Sequence, residues 1–290
     1  MNTTAVFGSG HIEEALADAA TFLQTLQQRG ETLFLEASFQ QELLRHFAAD
    51  SPIATMPTFE GETPKGVDYL ICFGGDGTFL RTLHKASSPD IPILAINSGH
   101  LGFLTDLDTH DAITFIDKLI EGDYLIEERR LLSVEAGEDY HEFALNEVAI
   151  QKRETGSIIN VQTYINDSFL ADYAADGLIV ATPTGSTAYS LSLNGPLVSP
   201  ECPVLLVTPI APHSLSMRPI VLPDTISLHL KVFSRSSTFM LVTDGKVAVF
   251  PIETPLKIAR SEQPVRLIRL SNHTFADTLR LKLHWGQNLR

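Results

Sequence analysis

The stretch that decides the fold is Tyr69-Leu70-Ile71-Cys72-Phe73-Gly74-Gly75-Asp76-Gly77-Thr78. Its first five residues form a short apolar run typical of a buried strand, and the glycines indicate a tight turn into a helix. Backbone N–H groups at a helix start point toward an anion, and glycine lets the main chain come close to it. The stretch therefore predicts a phosphate-binding loop at the end of a strand.

Asp76 is an unusual residue for such a loop. A carboxylate repels phosphate unless it holds a metal, takes a proton or meets a hydroxyl that is about to attack. We interpret Asp76 as the group that activates a hydroxyl while the loop holds the phosphate. The alternative is a purely structural turn, but three glycines, an acid and a hydroxyl within Gly74–Thr78 argue against it.

Strand and helix patterns alternate on both sides of this loop. Such alternation predicts a parallel sheet with helices on both faces, in which ligands bind at the carboxyl ends of strands. The predicted strands are 5–7, 32–35, 69–73 and 91–96, the helices are 12–26, 38–48 and 111–121, and 50–65 is a connecting loop.

The pattern changes near residue 124 to short β-branched runs separated by turn residues. These runs predict an all-β region, either a sandwich or a mixed sheet. They are 131–135, 143–150, 158–165, 178–181, 204–208, 226–233, 239–243, 247–252 and 264–270.

The predicted fold class is an α/β N-terminal domain with a Rossmann-like parallel sheet, followed by a β-rich C-terminal domain. The first domain covers residues 1–124 and the second covers 125–270. Phe275, Leu279 and Leu283 recur every four residues and predict a helix in 271–290 that packs back on the first domain.

Composition narrows the class of protein. The 290 residues are 44% hydrophobic and 19% charged, which indicates a chain able to build a sizeable core. A formal net charge of -14 repels nucleic acid and anionic lipid, so we expect no nucleic-acid or membrane partner. The two cysteines give no zinc or disulfide pattern, and neither a signal peptide nor a membrane-spanning run is evident. We expect a cytoplasmic enzyme or binding protein.

Further polar stretches interrupt the apolar runs. Asn97–Phe103 follows the strand next to the glycine loop and should face the same crevice, with Phe103 able to stack on a base. Asn146-Glu147 interrupts a strand. These residue types bind a base edge and a ribose diol, but the pair is equally typical of a solvated strand end. Thr182–Ser190 is a neutral, hydroxyl-rich loop suited to a purine or ribose. Gly8-Ser9-Gly10 lacks the third glycine of a dinucleotide fingerprint and is interpreted as a turn.

Five stretches together resemble the bacterial NAD kinase family, in the same order along the chain. They are Gly74–Arg81, Asn97–Phe103, Asn146-Glu147, Asp176–Tyr189 and Asp244-Gly245. The resemblance runs from about residue 67 to the tail. The glycine motif alone is shared with diacylglycerol kinases and 6-phosphofructokinases, whereas Asp176–Tyr189 is the more specific sign.

The resemblance implies transfer of the ATP γ-phosphoryl group to the 2′-hydroxyl of the adenosine ribose of NAD, which makes NADP. It also implies Mg²⁺ or another divalent metal, and a homodimer or homotetramer. Asp76 would be the catalytic base, and no metal ligands are assigned. The substrate-binding residues that we assign are Gly75, Asp76, Gly77, Arg81, Phe103, Asn146, Glu147, Asp176, Thr184, Thr187, Ala188, Tyr189, Ser192, Ala211, Asp244 and Lys246.

Within that assignment, Asn146 and Glu147 would contact the adenosine, and Thr184, Thr187 and Ala188 would line the adenine site. Asp176 and Ala211 would lie toward the nicotinamide end.

Three positions depart from the family pattern. Ala174 stands where many members have arginine, Leu193-Asn194 replaces an Ala-Gly pair, and Lys246 replaces a frequent glutamine. These changes leave open how phosphates are countered and whether polyphosphate replaces ATP. A lipid kinase and a non-catalytic NAD sensor are the competing hypotheses. A lipid kinase should have a basic membrane-facing patch, and none is evident in this sequence. A sensor that only binds NAD does not explain why a carboxylate stands beside the phosphate.

Overall fold

The computed structural model describes residues 2–10, 12–47, 51–99, 102–105, 107–154, 156–270 and 274–286. The chain divides into two compact units. The first comprises Met1–Glu128 and Val265–Arg290, and the second comprises Arg129–Pro264.

The first unit contains one sheet in the strand order β3-β2-β1-β4-β5-β20-β7, with β6 paired to β5. Its strands are β1 (Thr3–Gly8), β2 (Thr32–Glu36), β3 (Thr58–Phe59), β4 (Tyr69–Phe73), β5 (Ile93–Asn97), β6 (Leu107–Asp108), β7 (Leu125–Arg129) and β20 (Val265–Arg269). Its helices are α1 (Glu13–Gln28), α2 (Ala37–Leu44), α3 (Asp76–Lys85), α4 (Thr109–Thr114), α5 (Ile116–Glu121) and α7 (Phe275–Leu283).

The central strands explain why this sheet forms. β4 and β5 are buried along their whole length, and β1 is buried from its second residue onward. Continuous apolar runs of this kind are typical of strands covered on both faces. β4 pairs in parallel with β1 on one side and β5 on the other, so the carboxyl ends of all three strands meet at one edge.

Two details of the first unit differ from the sequence prediction. Residues 50–65 are not all loop, because Pro52–Thr55 is a 3-10 helix and β3 pairs with β2 at the sheet edge. The helix predicted at 111–121 is two short helices, which meet at Phe115, where φ is -101° and ψ is 4°. Gly122 ends the second one in a left-handed conformation, as its place after the apolar pattern predicts.

The second unit contains two six-stranded sheets with the orders β15-β14-β13-β10-β17-β18 and β12-β11-β16-β19-β8-β9. All of the strand pairs described within them are antiparallel. The strands are β8 (Leu132–Ala136), β9 (Tyr140–Ala144), β10 (Glu147–Lys152), β11 (Ile159–Ile165), β12 (Ser168–Ala175), β13 (Gly177–Ala181), β14 (Val204–Ile210), β15 (Ile220–Pro223), β16 (Ser227–Ser234), β17 (Thr238–Thr243), β18 (Lys246–Pro251) and β19 (Leu256–Arg260). Helix α6 (Tyr189–Ser192) follows a 3-10 helix at Thr184–Thr187.

Alternating side chains from both sheets fill a shared core, so the second unit is a sandwich. Val148 and Val180 of one sheet belong to the same buried cluster as Val161 and Leu230 of the other. The run predicted as one strand at 143–150 is two strands, because the chain breaks at Leu145-Asn146 between β9 and β10. The pattern missed β12 and β15. The strand predicted at 264–270 forms as β20, but it lies in the parallel sheet of the first unit.

The predicted fold class is confirmed: a parallel-sheet α/β unit, a β-rich unit and a C-terminal helix that belongs to the first unit. Among the residues that the structure describes, no helix is both long and apolar enough to cross a membrane.

Candidate active site

The glycine turn joins β4 directly to α3. The N–H of Gly74 donates to the carbonyl of Ile96 on β5 at 2.8 Å, which fixes the turn at the carboxyl edge of the sheet. Helix α3 begins at Asp76, and no side chain caps its first turn. Backbone N–H groups at an uncapped helix start can bind an anion. The strand, turn and helix that the sequence predicts are present, and phosphate binding by the turn stays a prediction.

Hydroxyl groups connect this turn to the ends of the neighbouring strands. Ser9 Oγ lies 2.6 Å from Thr78 Oγ1, and Ser98 Oγ donates to the carbonyl of Ser9 at 3.0 Å. The Gly8-Ser9-Gly10 turn therefore supports the glycine loop. Two residues of the predicted Asn97–Phe103 motif, His100 and Leu101, lie outside the described residues.

The carboxylate of Asp76 is fixed by the main chain that follows β5. Phe103 N–H donates to Asp76 Oδ2 at 2.9 Å, and Leu104 N–H donates to Oδ1 at 3.1 Å. Gly102 makes this approach possible, because a Cβ at that position would lie 1.9 Å from Asp76 Oδ1. The structure thus brings Asp76 and Phe103 together, with the carboxylate about one third exposed (31%).

Arg81 lies on α3 and is engaged within the protein. Its Nη2 donates to the carbonyl of Gly8 at 2.9 Å and lies 3.5 Å from Glu36 Oε2. Lys85 Nζ lies 2.6 Å from the other oxygen of Glu36. Because Glu36 is buried, these two cations balance its charge. A substrate contact by Arg81 stays a prediction.

The C-terminal helix adds a cation that the sequence analysis did not assign. Lys282 Nζ lies 3.9 Å from Asp76 Oδ2 and 4.7 Å from the centroid of the Phe103 ring. The only sequence signal for this contact is the helical spacing of the tail, which does not specify where the helix packs.

In the second unit, Asp244 organises the main chain at Asn146-Glu147. Asp244 and Gly245 have φ values of 46° and 88°, as in a two-residue type I′ turn between β17 and β18. The Asp244 carboxylate accepts hydrogen bonds from the N–H groups of Leu145 (2.6 Å), Asn146 (2.9 Å) and Glu147 (3.1 Å). Asp244-Gly245 is therefore a hairpin turn, and the Asp244 carboxylate holds the break between β9 and β10 in place.

Glu147 is a half-buried acid whose Oε2 atom is buried and has an open hydrogen-bonding position. Its pKa is raised from the ordinary 4.5 to about 7. Burial is the largest cause and the charge of Asp244 is the second, while the hydrogen bond from the N–H of Tyr189 acts in the opposite direction. Its Oε2 atom has no hydrogen-bond partner among the described residues. Buried polar atoms almost always have partners in native structures, so this oxygen is suited to accept a hydrogen bond from a ligand.

The hydroxyl-rich loop packs closely on the same strand break. Thr182 N–H donates to the carbonyl of Asn146 at 2.9 Å, and Thr182 Oγ1 donates to the carbonyl of Leu145 at 2.5 Å. Gly185 is required for this contact, because a Cβ there would lie 2.1 Å from the carbonyl oxygen of Asn146. The loop and Asn146-Glu147 therefore form one cluster.

Most of the loop hydroxyls serve the loop itself. Thr187 Oγ1 donates to the carbonyl of Thr184, while Arg129, which is buried, donates to Thr184 Oγ1 at 3.4 Å. Ser186 Oγ donates to the carbonyl of Val198, and Ser190 Oγ lies 3.1 Å from Thr208 Oγ1. The sequence predicts hydroxyl groups that donate to a ligand, but it does not show that several of them already bond to other residues of the protein. Thr187 and Ala188 remain half-buried, and Tyr189 and Ser192 are exposed.

The remaining assigned residues of the second unit have their own contacts. Asp176 Oδ1 lies 2.7 Å from Lys152 Nζ, and Lys246, which is exposed, pairs with Glu142. Ala211 has a φ of 44°, a left-handed conformation that is strained for alanine. Strain of this kind is common at ligand sites, but a contact to substrate stays a prediction for all three.

The Leu193-Asn194 departure has a local physical reason. Leu193 packs against the buried cluster that includes Ala149 and Ile179. Asn194 has a φ of 61°, which asparagine tolerates better than most other residues and which suits the glycine of the family pattern.

The described residues contain no group of three or more His, Cys, Asp or Glu side chains that could hold a metal ion. Mg²⁺ in phosphoryl-transfer sites is bound by one or two carboxylates together with substrate phosphates. The side chains described here therefore do not fit a metal cage built from protein ligands alone.

Replacing Gly102 with alanine should destabilise the first unit by about 1–3 kcal/mol, because the new Cβ overlaps Asp76 Oδ1. Urea denaturation measures this change. Gly156→Ala is the control, since a Cβ there meets no atom within 4 Å, and it should change the free energy of unfolding by less than about 0.5 kcal/mol. Equal stability of the two variants would contradict the tight packing at Gly102.

Glu147 should make stability fall as pH rises. Its folded pKa of about 7 exceeds the ordinary value of 4.5, so the folded state holds the proton more tightly. The resulting stability is complete below about pH 4.5 and is lost as pH rises through 7, with a magnitude on the order of 3 kcal/mol.

Glu147→Gln should flatten the dependence of the free energy of unfolding on pH between 4.5 and 7, measured by chemical denaturation. Glu201→Gln, at an exposed position in the same unit, should follow the unmodified chain. Identical slopes for Glu147→Gln and the unmodified chain would show that Glu147 does not titrate in this window.

Sequence comparison identifies relatives over the whole chain. A family model described as the ATP-NAD kinase N-terminal domain matches residues 3–124, and one described as the ATP-NAD kinase C-terminal domain matches residues 145–270. An NAD kinase from Porphyromonas gingivalis is 48% identical over 295 residues and covers 100% of both chains. An NAD kinase from Bacteroides fragilis is 38% identical and covers 99% of both chains.

Two solved structures share the fold. The crystal structure of yeast NADH kinase complexed with NADH has a TM-score of 0.87 and 24% identity, covering 100% of this chain and 89% of that one. The structure of an NAD kinase from Archaeoglobus fulgidus in complex with ATP has a TM-score of 0.70 and 24% identity, covering 98% of this chain and 97% of that one.

Proposed function

Because this chain belongs to the NAD kinase family, we propose that its glycine loop carries the chemistry of an NAD kinase, with Asp76 as the base. The chain is a phosphotransferase that converts NAD to NADP with ATP as the phosphoryl donor. The role of Asp76 is supported by one observation: two backbone N–H groups hold its carboxylate beside the uncapped start of α3.

In the proposed reaction, the 2′-hydroxyl oxygen of the adenosine ribose attacks the γ-phosphorus of ATP. The new oxygen–phosphorus bond forms as the bond to the β-phosphate oxygen breaks, which releases ADP, and the hydroxyl proton passes to Asp76. Each carboxylate oxygen accepts one N–H bond and retains a lone pair for this proton. General-base catalysis of this kind contributes about 10²–10⁴-fold to the rate.

The start of α3 is the proposed site for the donor phosphates. Gly75 and Gly77 leave room for phosphate oxygens to approach the main chain, and the helix dipole favours negative charge there. Positioning and charge stabilisation supply most of the catalysis in phosphoryl transfer. The loop therefore supplies the positioning, and Asp76 receives the proton.

The second unit supplies the proposed adenosine contacts. The unpartnered Oε2 of Glu147 accepts a hydrogen bond from a ribose hydroxyl, and Asn146 contacts the base. Thr184, Thr187 and Ala188 line the adenine position. Arg81, Phe103, Tyr189, Ser192, Asp244 and Lys246 are the further proposed binding residues, and Asp176 and Ala211 are proposed for the nicotinamide end.

A divalent metal, Mg²⁺ in the simplest case, is proposed to arrive with the donor phosphates. When bound, it neutralises phosphate charge. The described residues give no metal cage, so no protein ligand is assigned to it. Polyphosphate as an alternative donor stays open, and a cytoplasmic location is proposed.

An exposed apolar surface supports the proposed homodimer or homotetramer. β18 is the last strand of its sheet, and Val247 and Val249 on it are 58% and 47% exposed. They pair with Val242 and Met240 of β17, so the four side chains share one face. An unpaired strand edge beside an apolar face is suited to a second copy of the chain.

Asp76→Asn should still bind NAD but lose most of its turnover, because asparagine keeps the shape but cannot take the proton. The assay follows NADP formation from NAD, ATP and Mg²⁺, with NAD binding measured by calorimetry. Near-normal turnover in this variant would reject the base role. Absence of NADP from the unmodified chain would reject the proposed reaction and favour a sensor.

The double substitution Val247→Lys and Val249→Lys should shift the chain to a smaller species, since charge at both positions opposes apolar association. Light scattering after gel filtration measures the mass. Leu125→Lys is the control, because Leu125 is also exposed, at 66%, but lies on another sheet. An unchanged mass for the double variant would place the subunit contact elsewhere.

A further inference from the structure

The C-terminal helix places a cation, Lys282, beside the proposed base. Lys282 Nζ is 3.9 Å from Asp76 Oδ2, too far for a hydrogen bond but within the range of an ion pair. It also lies over the Phe103 ring, 4.7 Å from its centroid. Nζ makes no hydrogen bond to another described residue, so its three N–H donors are available to a ligand.

Within the described part of the chain, three other cations of this unit already have partners. Arg81 and Lys85 of α3 pair with the buried Glu36. Arg269 pairs with Glu127 at 2.5 Å and donates to the carbonyl of Leu104 at 3.2 Å, so it supports the segment that holds Asp76. Of these four described cations, Lys282 is therefore the one whose N–H donors can bind a negatively charged substrate beside Asp76.

Helix α7 carries Lys282 without relying on it for packing. The helix starts with a capping box, in which Thr274 and Asp277 bond to each other's N–H groups. None of its residues is buried. Removing the charge of Lys282 should therefore leave the fold intact, because no core contact is lost.

From this geometry we propose that Lys282 contacts the transferred phosphoryl group and offsets its repulsion from the Asp76 carboxylate. The inference rests on the proposed function, since it needs a phosphoryl group next to Asp76. The phosphoryl oxygens carry negative charge throughout the transfer, and a carboxylate within a few ångströms opposes their approach. A lysine ammonium is a compact charge with three donors, which suits a phosphoryl group whose oxygens shift during the reaction.

Lys282→Met is the decisive variant. It keeps most of the side-chain length but removes the charge, and kcat for NADP formation should fall about 10²-fold. KM for NAD should change far less than kcat, because the proposed contact of Lys282 is with the transferred phosphoryl group and not with NAD. Lys282→Arg retains the charge and should recover a larger part of kcat. An unchanged kcat in Lys282→Met would overturn the proposal.

The matched control is Arg280→Met on the same helix. Arg280 is exposed and pairs with Asp277, three residues earlier on the same helix. It should keep the kcat of the unmodified chain, and all variants should unfold within a few degrees of it. A loss of kcat in Arg280→Met equal to that in Lys282→Met would assign the effect to the helix and overturn a specific role for Lys282.

A second comparison separates the charge from the ring contact. If Lys282 only orients Phe103, then adding Lys282→Met to Phe103→Leu should cause no further loss of kcat, and the proposal is wrong. The proposal requires a further loss. NADP production by the unmodified chain is measured in parallel: its absence overturns the proposed function, whereas normal production with an unaffected Lys282→Met overturns only the role of Lys282.

Discussion

The site of the first unit depends on two hydrogen bonds between the Asp76 carboxylate and the main chain that follows β5. Two N–H groups, from Phe103 and Leu104, donate to the two carboxylate oxygens. These bonds fix the direction of the acid and also anchor the segment that follows a neighbouring strand. The contact requires a glycine at position 102, because a Cβ there would overlap Asp76 Oδ1. A residue outside the glycine loop therefore determines how the Asp76 carboxylate is oriented.

The second unit uses the same device at another acid. Asp244 sits in a hairpin turn and accepts three N–H groups from Leu145, Asn146 and Glu147. Its charge, together with burial, raises the pKa of Glu147. In both units an aspartate carboxylate accepts main-chain N–H groups and so fixes the backbone of residues that we propose to bind substrate. Asp76 and Asp244, which the sequence predicts to bind substrate, thus also have a structural role.

Local patterns predicted most of the strands, the glycine turn and the helix at the tail, because each depends on residues close in sequence. The sequence could not predict partners that depend on long-range packing. The bonds of Thr182, Thr184 and Ser190 to their own surroundings were missed for this reason, as was the contact of Lys282 with Asp76. The strand at 265–269 was recognised as a strand, but its alternation carries no information about which sheet it joins.

The charge balance explains why few cations face the loop. A chain with a net charge of -14 that handles phosphates must counter them locally, but buried carboxylates also occupy cations. Glu36 takes two cations of α3, and Asp224 of the second unit, which is also buried, takes Arg130 and Arg260. Positive charge for the substrate must then come from backbone dipoles and from side chains outside these pairs. That constraint makes the uncapped start of α3 the main electrostatic feature of the loop, because main-chain N–H groups attract an anion without a charged side chain.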